Sequence, residues 1–370
     1  MSKVTYIYAR DRKKNIENNT VEAKELYYSF HLFKDDGNDM NIIEYETKDN
    51  FINKFLYFYD RILNKFISIP SYSHQLYSNK NKDIIKKSDY VFLVNEGVGF
   101  SALPMIYNLN KISETKIVLF SMGLLSKKVK KYFSFLHHLF IRYLLNRIDN
   151  VIFLGKGEYE IAKKTFNKLE AKFHHLNFSV DTEFWSTTES RKFETNKNIL
   201  FVGNDSNKDE NMVKEIAKLL PDYKFTCISK LPGLKNTKLN NLNVIDGEWN
   251  NSSVSDQDLK SFYTSSFLTI IPLKESLQPA GQSVALQSMC SGTPVLITQT
   301  DGFWDKEKFE NNKHIIFIQS KNEYDWKDKI LELSNNNSLI KKISLNSKSN
   351  VVNNFDLYTF HRKLKTFIDK

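Results

Sequence analysis

Two cysteines, Cys227 and Cys290, are all that the 370-residue chain contains, too few for a disulfide framework or a thiolate-rich metal site. Their scarcity fits a reduced, cytoplasmic protein. Glycine (12) and proline (7) are sparse for this length, which excludes collagen-like and linker-dominated chains. No run approaches the roughly 18 apolar residues of a membrane-crossing helix. The opening MSKVTYIYARDRKK lacks the apolar stretch of a secretory signal. Arginine is rare, with seven (10, 12, 61, 142, 147, 191 and 362) among 53 basic residues, against 43 acidic ones and a net charge of +10. Specific nucleic-acid readers lean on arginine, and no nucleic-acid-binding motif is present, so no nucleic-acid partner is expected. A lysine-rich surface suits an anionic membrane or a polyphosphate ligand.

What is present is core material: 41% hydrophobic and 14% aromatic residues, enough for two domains at roughly 150 residues each. Short apolar runs alternate with amphipathic stretches. Lys3–Ala9, Asn41–Glu46, Tyr90–Val94, Lys116–Phe120 and Val151–Leu154 read as strands, and Val21–Phe33 as a helix. The pattern restarts with Asn198–Val202, the helix Glu210–Leu220, then Tyr223–Ile228, Asn243–Ile245, Phe267–Ile271, Pro294–Ile297 and His314–Ile318. Strands of continuous apolar residues separated by helices indicate parallel α/β sheets. The polar stretch 186–197 is the natural linker, and Leu357–Ile368 reads as a final helix.

Ligands of open parallel sheets bind beyond the carboxyl ends of the strands, so the residues after each run are the candidates. After Asn198–Val202 comes Gly203-Asn204-Asp205-Ser206-Asn207-Lys208. Glycine permits close backbone approach, a helix start favours an anion, and Lys208 can neutralise a diphosphate; a plain strand–helix turn with a solvated lysine is the alternative. Residues 275–296 read as a loop around Pro279-Ala280-Gly281, a helix over Gln282–Cys290, a Ser-Gly stop and a buried strand. Ala280, Gly281 and Ser283 are small and leave the helix start uncovered, a ready phosphate or sugar-hydroxyl site. Gln287 is placed to turn its amide toward the same pocket. An ordinary helix–sheet packing unit is the alternative there.

These pieces resemble the GT-B-fold glycosyltransferases of family 4. The segment 175–185 (HLNFSVDTEFW) is similar to the stretch that ends the family's first domain, and 201–208 (FVGNDSNK) to its phosphate clamp, with Lys208 at the lysine position. VIDG at 244–247 followed by DLKSFY at 258–263 resembles the next strand and helix, and 287–296 (QSMCSGTPVL) the family's signature around its second glutamate. The resemblance implies two Rossmann-like domains facing each other across a cleft, an acceptor-binding domain over 1–186, a nucleotide-sugar-binding domain over 187–350, and a C-terminal helix in 351–370 crossing back to the first. It implies retaining transfer of a sugar from a nucleotide-diphosphate donor, with UDP the expected nucleotide, no cofactor and no essential metal. In that reading Lys208 stabilises the diphosphate, the Ala280–Ser283 backbone holds sugar and phosphate, Gln287 holds the ribose, and Trp249 lies near the base; a packing tryptophan is the alternative for the last.

The chain departs from the family where two glutamates eight residues apart usually stand: it has Pro279 and Gln287. Glu275 is a candidate substitute for the first. Asn204 occupies the place of a phosphate-clamping arginine. The run Gln278-Pro279-Ala280-Gly281-Gln282-Ser283 resembles a variant subgroup, which favours a modified active site over a lost one. On the acceptor side, Asn95 and Glu96 follow one strand and Ser121-Met122-Gly123 another; Glu96 is the candidate acceptor-positioning group, with a turn-capping carboxylate as the alternative.

Two further segments bear on the acceptor. Residues 51–67 place Ile52, Phe55, Leu56, Tyr59, Ile62, Leu63, Phe66 and Ile67 at helical spacing. Residues 127–147 do the same with Val129, Tyr132, Phe133, Leu136, Leu139, Phe140, Tyr143 and Leu144, alongside six Lys/Arg and no acid. A basic, aromatic amphipathic helix reads as a membrane-surface element, and a core-facing stripe is the alternative. If either segment meets an anionic membrane, the acceptor is a membrane lipid such as diacylglycerol or a lipid-linked glycan, and the protein sits peripherally on the inner membrane face. A soluble acceptor and a non-catalytic glycan- or lipid-binding scaffold remain the other readings. The His137-His138 and His174-His175 pairs do not converge as metal ligands.

Overall fold

The computed structural model describes residues 1–46, 51–109, 112–127, 129–187, 193, 197–247 and 254–368. The chain divides into two compact units, Met1–Asn177 with Phe360–Lys370, and Phe178–Thr359.

The first unit holds a six-stranded parallel sheet of β1 (Lys3–Tyr8), β2 (Asp39–Glu44), β3 (Tyr90–Leu93), β4 (Lys116–Ser121), β5 (Asn150–Phe153) and β6 (Phe173–His175), in the order β2-β1-β3-β4-β5-β6. Every pairing is parallel. Val4, Tyr6, Ile7 and Tyr8 are all buried, so β1 is covered on both faces and shows a continuous apolar run in place of alternation. The second unit repeats the plan with β7 (Asn198–Val202), β8 (Lys224–Ile228), β9 (Leu242–Ile245), β10 (Leu268–Ile271), β11 (Val295–Thr298) and β12 (Ile316–Ile318), in the order β9-β8-β7-β10-β11-β12. Counted within the unit this is the doubly wound 3-2-1-4-5-6 order, whose direction reverses between its first and fourth strands. Here those are β7 and β10.

The continuous helix expected over Val21–Phe33 is not formed. A 3₁₀ turn at Glu25–Tyr27 and a helix at Phe30–Asp35 are separated by Tyr28 and Ser29, both with left-handed backbone (φ 49° and 74°). Tertiary bonds hold the break. The Tyr6 and Tyr8 hydroxyls donate to the Tyr28 and Tyr27 carbonyls at 2.8 and 3.0 Å, and Ser29 Oγ lies 2.5 Å from His361 Nδ1. A helix at Arg12–Glu17 was not foreseen; Glu44 of β2 accepts from the Arg12 and Lys13 N–H groups at its start.

The final helix spans Leu357–Ile368 as expected. Phe360, Leu364 and Ile368 form its buried stripe, Asp36 binds both His361 and Lys365, and Phe367 stacks on His174. These contacts return the chain terminus to the first unit. The division after Asn177 falls earlier than the expected 186 because Trp185 is fully buried against Tyr263 and accepts from Ser291 Oγ, which fixes that segment in the second unit.

The segment 51–67 forms a helix at Phe51–Ile62 continued by a π-turn at Leu63–Ile67. Its buried face is Asn53, Leu56, Asp60, Leu63 and Ile67, whereas Phe51, Phe55, Phe58 and Phe66 are exposed. Asp60, 2% exposed, anchors the helix by accepting from Ser71 Oγ, the His74 N–H and His74 Nδ1 at 2.6, 3.0 and 2.7 Å. Removing one side of a buried charged network leaves its partners unsatisfied. Asp60→Ala should therefore destabilise the protein by about 3 kcal/mol, read as a lowered midpoint in denaturant unfolding; a change near zero would show that Asp60 does not hold this helix.

Candidate functional site

The topological switch of the second unit lies between the carboxyl ends of β7 and β10, and the loops leaving those strands are zipped together there. The Asp209 N–H donates to the Pro272 carbonyl, the Lys274 N–H to Asn207, and Lys274 Nζ to the Ser206 carbonyl. Lys208 makes a short antiparallel bridge with Leu273, and Asn207 Nδ2 donates to Gln278 Oε1 at 2.9 Å. The pairing turns the Lys208 side chain inward.

Lys208 is only 2% exposed. A Cβ at position 203 would lie 2.5 Å from Lys208 Cε, so Gly203 is what lets the lysine stem pass under the β7 end. The ammonium pairs with Asp205 Oδ2 at 3.1 Å. Burial pulls the Lys208 pKa below the ordinary lysine value, opposed by Asp205. A desolvated ammonium is costly unless an anion faces it, and Asp205, itself 44% exposed at its side chain, supplies that anion.

The same ammonium lies beside the start of the helix Gln282–Cys290. A Cβ on Gly281 would sit 3.6 Å from Lys208 Nζ. Gly281 is the N-cap residue, in left-handed backbone at φ 77°, and brings no side chain to the first-turn N–H groups, which have no intrahelical acceptor. A buried cation and a bare helix start thus meet at one point. Both favour negative charge. Pro279 and Gln282 are buried beside this point, with Ala280 and Ser283 half-buried.

The remaining candidates are placed differently. Asn204 does not reach toward Lys208: its Nδ2 donates to the Gly247 carbonyl and its Oδ1 accepts from the Lys230 N–H, tying the β7, β8 and β9 ends together. Glu275 is exposed and accepts from the Asp301 N–H at 2.9 Å. Gln287 is buried within the helix–sheet packing, its Oε1 accepting from the Tyr263 hydroxyl at 3.2 Å. Trp249 lies outside the described residues. Among the described residues no three His, Cys, Asp or Glu converge as metal ligands.

In the first unit, Glu96 opens the helix Glu96–Ile106 directly after β3. Asn95 caps that helix, accepting from the Val98 N–H at 2.8 Å, and the Glu96 carboxylate is approached by its own N–H in the first turn. It is 9% exposed, and burial raises its pKa despite support from the Met122 N–H and Lys127. The sequence reading passed over Glu158, at the start of the helix Lys156–Thr165 after β5. The rule that singled out Glu96, a polar residue just after an apolar run, also applies to Gly155–Glu158.

Gly281 carries two constraints at once. A side chain there would adopt left-handed backbone and bring a Cβ to 2.7 Å from Ile271 Cγ2. Gly281→Ala should cost about 1–3 kcal/mol in urea unfolding, whereas Ala280→Gly should cost under about 1 kcal/mol. Equal effects would mean that the backbone at 281 is not constrained.

No family model matches the chain, and no curated protein matches it. Solved structures do. HepE of Anabaena in complex with UDP and glucose aligns over 100% of both chains at 11% identity with a TM-score of 0.68. A glycosyltransferase from Rickettsia africae aligns over 99% of this chain and 97% of its own at 16% identity and 0.68. Sucrose-phosphate synthase from Thermosynechococcus elongatus aligns over 99% and 98% at 10% identity and 0.67. At such identities the likeness is one of fold, and the fold is GT-B-like: two α/β units, each on a six-stranded parallel sheet, with the C-terminal helix returned to the first.

Proposed function

We propose that the protein is a retaining glycosyltransferase that moves a sugar from a nucleotide-diphosphate donor, with UDP as the nucleotide, to a membrane-associated acceptor. The observation that carries this reading is the buried Lys208 ammonium set against the bare start of the helix Gln282–Cys290, at the strand switch of the second unit. Bond cleavage at the sugar leaves negative charge on the departing nucleoside diphosphate. A fixed cation and preorganised N–H donors stabilise that charge where it develops, without waiting for water to reorganise. Support also comes from the fold shared with HepE, which has been solved with UDP-glucose bound. Gly203 and the backbone of Ala280–Ser283 would admit the phosphates and the sugar, and Gln287, its amide oriented by Tyr263, is assigned to the ribose.

The acceptor side rests on a surface. Twelve of the twenty exposed large hydrophobic residues among the described ones fall in 51–66 and 132–143. The two segments adjoin. Phe66 meets Phe133 at a ring separation of 5.7 Å, and His137 Nδ1 donates to the Ile67 carbonyl at 2.6 Å. The joined face carries Lys54, Lys65, Lys131 and Arg142, all exposed, beside aromatics that insert at a lipid headgroup boundary. No helix among the described residues is long and apolar enough to cross a membrane. The surface therefore favours a protein lying on an anionic membrane and an acceptor such as diacylglycerol or a lipid-linked glycan.

Two experiments test this. Lys208→Met keeps the stem that packs under Gly203 and removes the charge; sugar transfer from UDP-sugars, assayed with EDTA and diacylglycerol-containing anionic liposomes, should fall by about a hundredfold or more with the unfolding midpoint little changed. Unchanged turnover would overturn the role of Lys208, and donor binding without turnover would favour a non-catalytic scaffold. Phe55→Ser with Phe58→Ser should weaken sedimentation with anionic vesicles by at least about tenfold and leave stability within about 0.5 kcal/mol. Full retention of vesicle binding would sink the membrane surface.

A further inference from the structure

The carboxyl ends of β1 and β2 border a polar cavity that the donor chemistry does not use. It measures about 320 Å³, within the range of small-molecule sites, roughly 300–1,000 Å³. Its walls are Arg10 and Asp11, just after β1, Glu44 and Tyr45, at the end of β2, and Gln75 of the short helix Ser73–Leu76. The Tyr45 hydroxyl lies 2.9 Å from Ser101 Oγ. The Gln75 carbonyl accepts from the Glu46 N–H at 2.8 Å, which ties that helix to the β2 end. No Val, Leu, Ile, Met or Phe lines the cavity, so an acyl chain would gain little by entering it.

Two of the walls keep hydrogen-bonding capacity. Asp11 is the N-cap residue of the helix Arg12–Glu17, in left-handed backbone at φ 58°, yet its side chain makes no capping bond. Glu44 caps in its place, accepting from the Arg12 and Lys13 N–H groups at 2.5 and 2.8 Å. Among the described residues the Asp11 carboxylate has no hydrogen-bond or ion-pair partner. Gln75 is held from behind. His74 Nδ1 donates to Asp60 Oδ2 at 2.7 Å, which leaves Nε2 of that ring as an acceptor, and Gln75 Nε2 donates to it at 3.3 Å. The amide is fixed through its nitrogen, and its oxygen has no partner among the described residues.

We propose that this cavity binds a sugar residue of the acceptor, which makes the acceptor a lipid-linked glycan and not diacylglycerol, with Asp11 and Gln75 taking its hydroxyls and Asp60 and His74 as positioning residues for Gln75. The assignment rests on the glycosyl-transfer reading and names its acceptor class. A sugar hydroxyl both donates and accepts, so it suits a wall that combines a carboxylate and an amide oxygen with the Arg10 guanidinium. The single free hydroxyl of diacylglycerol cannot answer all three groups at once. Asp60 also links the cavity to the lipid-facing surface. It belongs to the helix Phe51–Ile62, whose other side exposes Phe51, Phe55 and Phe58, so one element carries the exposed rings and sets the Gln75 amide.

NMR of the full chain with nitrogen-labelled glutamine side chains tests the site, Gln75 being the signal lost in Gln75→Ala. The probes are the methyl glycosides of glucose, galactose, mannose and N-acetylglucosamine, with glycerol standing for the diacylglycerol head. At least one glycoside should shift the Gln75 amide saturably, and glycerol should not. Asp11→Asn, which tolerates the same backbone, should weaken that binding by about tenfold. His74→Asn keeps a donor for Asp60 and removes the acceptor for Gln75; it should weaken binding by about fivefold with the unfolding midpoint little changed. Silence toward every glycoside, or glycerol binding as tightly, would overturn the proposal, as would full affinity in Asp11→Asn. Full affinity in His74→Asn would overturn the positioning role. UDP binding, measured by calorimetry on the same wild-type sample, reports the second unit separately. Glycoside binding without UDP binding would overturn the transferase reading, and UDP binding with a silent Gln75 would overturn only the sugar site.

Discussion

The desolvation of one ammonium group organises the second unit. Lys208 can be buried only because position 203 has no side chain, because Asp205 faces its charge, and because the loops after β7 and β10 are hydrogen-bonded to each other over residues 206–209 and 272–274. Each of these features is of little consequence alone. Together they put a positive charge at the point where the sheet changes direction and where a helix begins with no side-chain cap. A solvated lysine on the same loop would be screened by water and would gain little from the helix start. Burial converts an ordinary strand–helix turn into a place where anionic charge is favoured from two directions.

The first unit solves the opposite problem. Its strand ends hold two buried carboxyls, Glu96 and Glu158, and burial raises the pKa of each. A carboxyl taken out of water resists ionisation. The two units thus differ in chemistry at equivalent places, the carboxyl ends of parallel strands: a cation beside a helix start in one, buried carboxyl groups in the other.

The sheets were legible because strands buried on both faces must be apolar throughout. Asn198–Val202 was read with the bounds it has, and so was the helix Gln282–Cys290, bracketed by Gly281 and the Ser291-Gly292 stop. The helix Leu357–Ile368 was visible from its spacing. What failed was local structure set by distant partners. Val21–Phe33 has helical periodicity, yet the hydroxyls of Tyr6 and Tyr8 and the ring of His361, 332 residues from Ser29, impose a break that no local window contains. Asn204 and Gln287 show the same limit within the site. Their positions follow the resemblance, but their amides are directed by Gly247, Lys230 and Tyr263, partners that only the folded sheet brings near.

The helix Phe51–Ile62 shows why amphipathic spacing alone leaves a face undecided. A stripe drawn through the sequence contains both Leu56 and Phe55, one buried and the other exposed. What settles the orientation is polar. Asp60 finds Ser71 and His74, and Asn53 donates to the His74 carbonyl, so the side carrying these two residues turns inward and the phenylalanines turn out. An apolar interior could not hold Asp60 without those partners, and no comparable demand holds the rings inside. The helix is held by that network together with the buried Leu56, Leu63 and Ile67, and its exposed rings form an apolar surface rather than a failure of packing.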